Sequence, residues 1–305
     1  MPLRAGSRRV TLCHLARTAD MAASKAVRGL GQIALGLGFC ALSCRSRDPR
    51  SSVEPSSRPS SAVPGLAAPK GELEPEGVPQ ARPAALLELF TSEGCSSCPA
   101  ADETLALLTD EAARQGQRVF TLELHVDYWN DLGWVDPFSD PAFSQRQSAY
   151  ARKLNSNRIY TPQLVVNGTQ ELVGSNRVGA RAAIARALQA QVSAAVALTA
   201  RQVDGAIELR YRVSSSRPVE LVLAVADDVA ETRVTAGENS ERLLRHRHVV
   251  RAFRSMRLNA SGAGLWSAPW QRAPGHGAVF VAAYATDPQT LQVLGADAQL
   301  LPGPA

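Results

Sequence analysis

Several function classes are excluded by what this chain does not have. Beyond residue 44 it carries no surplus of charge, because Arg4, Arg8, Arg9, Arg17, Lys25 and Arg28 against Asp20 account for the whole net charge of +5. The pI near 9.2 therefore belongs to a leader, and no nucleic-acid partner is expected. The apolar run Leu30 to Leu42 is too short to favour a membrane-spanning helix. Residues Arg45 to Pro83 have almost no large apolar side chains and are rich in serine and proline, so they cannot bury enough surface to offset the entropy of ordering. Cysteine is scarce as well. Of 5 cysteines, Cys13, Cys40 and Cys44 fall in the leader, which leaves Cys95 and Cys98 for the folded part.

The leader has the order of an export signal. From Met21 it presents Lys25 and Arg28, then the apolar run, then small residues ending at Cys44, so translation from Met21 would give a conventional signal. Ala41-Leu42-Ser43-Cys44 resembles a bacterial lipoprotein box, with Ala41 where leucine is usual, and implies lipid anchoring through Cys44. Plain cleavage that discards Cys40 and Cys44 is the alternative. Residues 45–83 then form a flexible tether behind the anchoring cysteine, and the expected location is the periplasm or cell envelope. Exported proteins live where disulfides persist. A single close cysteine pair there points to chemistry rather than scaffold, since a crosslink over so short a loop stabilises little.

The foldable remainder is long enough for two cores. In the first, residues 84–191, an apolar strand from Ala84 to Phe90 meets a polar turn, Thr91 to Gly94, and a helix from about Ser96 to Gln115 carries Leu105, Leu107 and Leu108. At such a junction the first helical N–H groups are unpaired and the helix dipole is positive, which favours a thiolate at Cys95. Cys98 lies one turn further on, within reach to close a disulfide or to resolve a mixed one. Pro99 suits the first helical turn. A Cys-x-x-Cys pair also serves as a structural disulfide or as half a zinc site, and the redox reading is the one preferred here.

A second strand, Val119 to Val126, follows after one helix, which predicts a right-handed parallel crossover with His125 to Asn130 on the cysteine edge of the sheet. The loop Asp127 to Phe138 holds Trp129 and Trp134, read either as walls of a cleft for an extended client polypeptide or as caps on the core. His125 and Asp127 are candidates for proton relay to Cys98, with hydrogen bonding that shapes the loop as the plainer role. A polar helix to about Leu154 comes next. Thr161-Pro162 then opens a short strand and hairpin through Asn167-Gly168, and a helix from Arg177 to Gln191 closes the unit.

The strings Glu88-Leu89-Phe90-Thr91-Ser92-Glu93-Gly94-Cys95-Ser96-Ser97-Cys98-Pro99, His125-Val126-Asp127-Tyr128-Trp129 and Tyr160-Thr161-Pro162-Gln163 resemble a secreted thioredoxin-like family classed as a domain of unknown function. The resemblance implies an exported thioredoxin-like fold, Cys95 as nucleophile, Cys98 as resolving cysteine and Pro162 as a cis-proline preceded by Thr161. It brings no substrate. The Ser96-Ser97 dipeptide departs from the familiar redox motifs, so the direction of electron flow stays open.

Residues 192–305 read as a smaller all-β, sandwich-like domain, with period-two segments at 195–199, 206–213, 219–226, 279–285 and 291–296. His246 and His248 alternate with Arg245 and Arg247, so in a strand the two imidazoles share one face. Two histidines at that spacing could ligate a metal, but with no carboxylate or cysteine near them in the chain, that face is expected to be solvated and to suit an acidic segment. The combined expectation is an α/β thioredoxin-like domain with an inserted helix, followed by this β domain. Its function would be thiol–disulfide exchange on client proteins through Cys95 and Cys98, with Thr161, Pro162, Trp129 and Trp134 contacting the client. A redox partner is implied, and no cofactor or resident metal is called for. The alternatives are a copper or zinc module built on Cys95, Cys98 and His125, and a non-enzymatic anchored binding protein with a structural disulfide.

Overall fold

A computed structural model describes residues 79–156, 158–270 and 277–303. The export signal with its start at Met21, the lipidation of Cys44 and nearly all of the 45–83 tether lie outside the described residues.

The cysteine-bearing half has the elements that its periodicity predicts. Strand β1 (Ala85–Thr91) leads through the cysteine turn into helix α1 (Pro99–Arg114), and β2 (Val119–His125) returns parallel to β1. A 3-10 turn (Asp127–Leu132) and helix α2 (Pro141–Lys153), capped by the Asp140 side chain on the N–H of Ala142, follow. Strand β3 (Gln163–Val166) runs antiparallel to β1 and forms a hairpin with β4 (Gln170–Val173), before α3 (Arg177–Ala187). The hairpin turns through Asn167 and Gly168, both at positive φ. A side chain at Gly168 would meet the carbonyl oxygen of Leu291 at 2.1 Å, so glycine is required there.

The remaining strands correct the expected fold class. They are β5 (Ala194–Val203), β6 (Ala206–Ser215), β7 (Val219–Arg233), β8 (Leu243–Leu258), β9 (Gly262–Pro269), β10 (Val279–Thr286) and β11 (Val293–Leu301). Four of them continue the cysteine-bearing sheet, giving one eight-stranded mixed sheet in the order β11-β10-β7-β8-β2-β1-β3-β4. Only β5, β6 and β9 form a sheet of their own. The molecule is therefore a larger sheet-rich fold, not a thioredoxin-like α/β domain followed by a small β domain. A boundary at residue 191 would separate strands of one sheet. The physical cause is the outer edge of β2: β8 occupies it, running parallel and bridging at Glu123 and Val249.

Side-chain alternation then sets the layers. Leu86, Phe90, Leu122, Leu124, Val222, Ala224, Phe280 and Tyr284 form one apolar cluster across the large sheet, closed by Phe143 and Tyr150 of α2. Alternate residues of the same strands feed two separate clusters. Leu87 and Leu89 pack under Leu105 and Leu108 of α1 and Ile184 of α3, while Leu221, Leu223, Val281 and Ala283 pack against Leu198, Ile207 and Leu209 of the second sheet. Under α1 the stripe Thr121, Glu123, His125 of β2 is polar yet buried. No helix among the described residues is long and apolar enough to cross a membrane.

Candidate functional site

The cysteine turn is built from its own backbone. The Cys95 N–H donates to the Ser92 carbonyl at 3.2 Å and the Cys98 N–H to the Cys95 carbonyl at 3.1 Å. Cys98 is the N-cap of α1, which begins at Pro99, so the helix starts three residues later than the pattern suggests. Cys95 and Cys98 are joined as a disulfide with Cα atoms 5.4 Å apart. The two serines between them are exposed, but Cys95 is only 1% exposed and Cys98 0%.

The loop between β7 and β8 is bonded across the cysteine turn. The Asn239 side-chain amide donates to the carbonyls of Glu93 at 2.8 Å and Cys95 at 2.9 Å, and Arg242 holds the Asn239 side-chain oxygen at 2.7 Å. Glu238 accepts from the Ser96 N–H at 3.0 Å. Gly237, at positive φ, sits so close to Trp134 that a side chain there would meet its Cβ at 3.1 Å. The loop is thus a strap across the cysteine turn. A cleft of about 220 Å³ lined by Ala84, Val166 and Gly295 lies at the far end of β1, away from this chemistry.

The residues expected to contact a client are partly brought together. The Thr161–Pro162 bond is cis, and Trp129 Nε1 donates to Thr161 Oγ1 at 2.8 Å. A Cβ on Gly94 would touch Trp129 at 3.2 Å, so Trp129 spans from the cysteine turn to the Thr-Pro segment. A Cβ on Gly174 would touch both Ala101 of α1 and Pro162, which places Pro162 beside the start of α1. Trp134 does something else: its Nε1 donates to Glu93 Oε2 at 2.8 Å. Asp127 is held by Ser144 of α2 and takes no part in the cysteine turn.

His125 is fully buried, and its surroundings were not legible in the sequence. Its Nδ1 donates to Asp136 Oδ2 at 2.7 Å, and Asp136 is fixed by the N–H groups of Glu93 and Phe138. Its Nε2 faces Glu123 Oε2 at 3.8 Å. His246 of β8 lies alongside, ring centroids 4.7 Å apart, with Nδ1 at 3.2 Å from Glu123 Oε2 and 3.7 Å from Asp102 Oδ2, and Nε2 at 3.4 Å from Glu93 Oε1. Phe138 packs edge-on against both imidazoles. Glu123 is tied through its other oxygen to the N–H of Arg247 at 3.2 Å, and Asp102 to Thr91 Oγ1 at 2.7 Å.

Burial and proximity set the charges in this cluster. Burial, reinforced by the Glu123 carboxylate, lifts Asp102 to about 7. Burial alone would raise Asp136 too, but the facing His125 imidazolium and two backbone N–H donors bring it down to about 2. For His125 burial favours the neutral ring, yet Asp136 and Glu123 outweigh it and raise it to about 9. His246 moves upward in the same way, burial being overcome by Glu123, Glu93 and Asp102.

The expectation of a solvated histidine face is therefore corrected. His246 is 1% and His248 5% exposed, and the carboxylates absent from their sequence neighbourhood arrive from β2, α1 and the cysteine turn. His248 binds Thr121 and stacks on Phe280, a satisfied core position. The signal that points to Glu123 is positional: a polar residue alternating with His125 on an inner strand beneath a helix has no solvent to face. His125 meets Glu123 and His246, while the cysteines are spent on one another.

A family model matches residues 86–282. The chain belongs to DUF1223, the family described as protein of unknown function. No curated protein matches it. Among solved structures, this DUF1223 chain is similar to a crystal structure of a protein from Agrobacterium tumefaciens at 26% identity and a TM-score of 0.52, covering 74% of this chain and 96% of that one. It is similar in fold to HBP35 of Porphyromonas gingivalis at 17% identity and a TM-score of 0.51, covering 73% and 77% of the two chains.

Proposed function

We propose that this DUF1223 chain is an exported dithiol–disulfide exchange protein, strapped shut at rest and active when the β7–β8 loop lifts. The observation that carries the reading is the Cys95–Cys98 disulfide set immediately ahead of a helix, with a cis Thr161–Pro162 bond and Trp129 beside it. In the reduced state the Cys95 thiolate attacks a client disulfide, forming a mixed disulfide and releasing one client thiolate. The Cys98 thiolate then attacks the Cys95 sulfur, which closes the internal disulfide and releases the second client thiol. Two electrons pass to the client. Run in reverse, the same exchange oxidises a client dithiol. This is the thioredoxin-like chemistry that the cysteine motif resembles.

The strap supplies selectivity. Buried sulfurs do not exchange with small thiols at random, so a client or redox partner must displace Asn239 and Glu238 to reach Cys95. Placement in the periplasm or envelope, on a tether from a lipid at Cys44, belongs to the same proposal, and membrane-anchored delivery of the site to clients follows from it.

The test pairs activity with trapping. Insulin reduction or dithiol oxidation should vanish in Cys95→Ser, and Cys98→Ser should accumulate mixed disulfides in the exporting cell. Full activity in Cys95→Ser ends the proposal. The burial of both sulfurs favours one second reading, a structural disulfide. A reduction potential below about −300 mV, unchanged when the strap is loosened, would establish it.

A further inference from the structure

The buried cluster beneath α1 is not finished as a hydrogen-bond network. Glu123 Oε2, His125 Nε2 and both ring nitrogens of His246 are buried without a hydrogen-bond partner, although they stand 3.2 to 3.8 Å from groups of opposite charge. Such groups are costly to leave unmade, and a bound ion is one arrangement that completes them. Here the potential ligand atoms converge: one from each of Glu123, His125 and His246 lies within 4.8 Å of the others.

We propose that Glu123, His125 and His246 form a binding site for one divalent transition-metal ion of the zinc type, with Asp102 as fourth ligand. Two ligands on a tetrahedral zinc stand roughly 3.3 Å apart, given bonds near 2.0–2.1 Å. The separations of 3.2 Å (Glu123 Oε2 to His246 Nδ1), 3.8 Å (Glu123 Oε2 to His125 Nε2) and 3.7 Å (Asp102 Oδ2 to His246 Nδ1) need only small side-chain shifts to meet that geometry. The outer groups fit as well. His125 donates its Nδ1–H to Asp136, which leaves Nε2 to face inward and to ligate once deprotonated, and His246 presents Nε2 to Glu93 at 3.4 Å. A carboxylate behind each ligating imidazole is how such rings are oriented and made more basic.

The donor set selects the ion. Two imidazoles disfavour magnesium and calcium, and copper(I) prefers sulfur, which the disulfide withholds. Charge balance agrees. Glu93, Asp102, Glu123 and Asp136 converge on His125 and His246, so the carboxylates outnumber the imidazoles. With ligands on β2, β8 and α1, the ion would pin the two halves of the sheet together under the cysteine turn. The proposal is independent of the redox reading, because no ligand is a cysteine.

The decisive experiment uses the full chain with Cys13→Ser, Cys40→Ser and Cys44→Ser, chelator-treated and kept oxidised. Zinc titration by calorimetry should show one ion per chain, and X-ray absorption should show a nitrogen and oxygen shell with two imidazoles and no sulfur. His246→Ala should weaken binding by at least about 100-fold, Asp136→Asn by about 10-fold, and added Cys95→Ser/Cys98→Ser should leave it unchanged. Absence of stoichiometric uptake, sulfur in the shell, or loss of binding in the cysteine variant overturns the site. Should His246→Ala fail to fold, the absorption spectrum of the parent chain decides alone. Zinc bound with no redox activity would leave the site standing and remove the exchange reading.

Discussion

Two ionic clusters are buried against opposite faces of the same eight-stranded sheet, and they are completed to different degrees. On the α2 side, Glu88 Oε1 accepts from Arg146 Nε at 2.5 Å and from the Tyr284 hydroxyl at 3.0 Å, while Oε2 accepts from Arg146 Nη2 at 3.1 Å and from the Tyr150 hydroxyl. Arg146 also lies against the rings of Tyr150, Phe253 and Tyr284. No buried atom of Glu88, Arg146, Tyr150 or Tyr284 lacks a partner. On the α1 side, imidazoles and carboxylates face one another with orphaned atoms between them. The fold can therefore satisfy a deeply buried charge when structure is all that is asked. Other described residues, among them Thr199 and Trp270, also carry a buried atom without a hydrogen-bond partner; what sets the α1 cluster apart is that the orphaned atoms of Glu93, Glu123, His125 and His246 face one another.

The comparison is broken most severely from the complete side. Arg146→Met leaves Glu88 buried and uncompensated and should cost about 3–5 kcal/mol in urea unfolding, with or without zinc. Zinc should act only on the other cluster: at a free concentration of 100 times the parent Kd it adds about 2.7 kcal/mol to the parent chain and at most about 0.4 kcal/mol to His246→Ala, read as a shift in the denaturant midpoint. Next in size is the disulfide. Cys95→Ser/Cys98→Ser should lower stability by about 2 kcal/mol or less, since the closed loop is so short. The smallest effect sharpens the contrast between strap and core. Asn239→Ala removes two hydrogen bonds over the cysteine turn and should speed reduction of the disulfide by dithiothreitol about tenfold, equivalent to about 1.4 kcal/mol of easier opening, with a loss of global stability no larger than that.

The first half of the fold was legible because each element announces itself locally. An apolar run before the cysteines, Pro99 at the start of α1, alternation in β2 and Asn167-Gly168 at the hairpin are short-range signals, and the parallel and antiparallel pairings of β1 follow from them. Strand β8 was not legible as the neighbour of β2. Its inward residues include His246 and His248 among arginines, which in sequence look like a wet surface, and its partner lies more than a hundred residues earlier. The cysteines could be singled out from spacing alone. Glu123, Asp102, Glu93 and Asp136 could not be grouped with His246, because nothing local connects the cysteine turn, α1, β2 and β8 until the sheet is assembled. Asn239 was invisible for the same reason, being a loop residue whose partners are backbone carbonyls.

That β8 lies against the outer edge of β2 also governs how the protein can be cut. A fragment ending at Gln191 would strip β2 of that neighbour and leave bare N–H and C=O groups beside a stripe of polar side chains, an invitation to pair with another chain. It would also lose Asn239 and Glu238, which bond across the cysteine turn. The cysteine-bearing half is for that reason not a transplantable cassette. Gene fusions, domain swaps and expression trials should carry it together with the strands that follow.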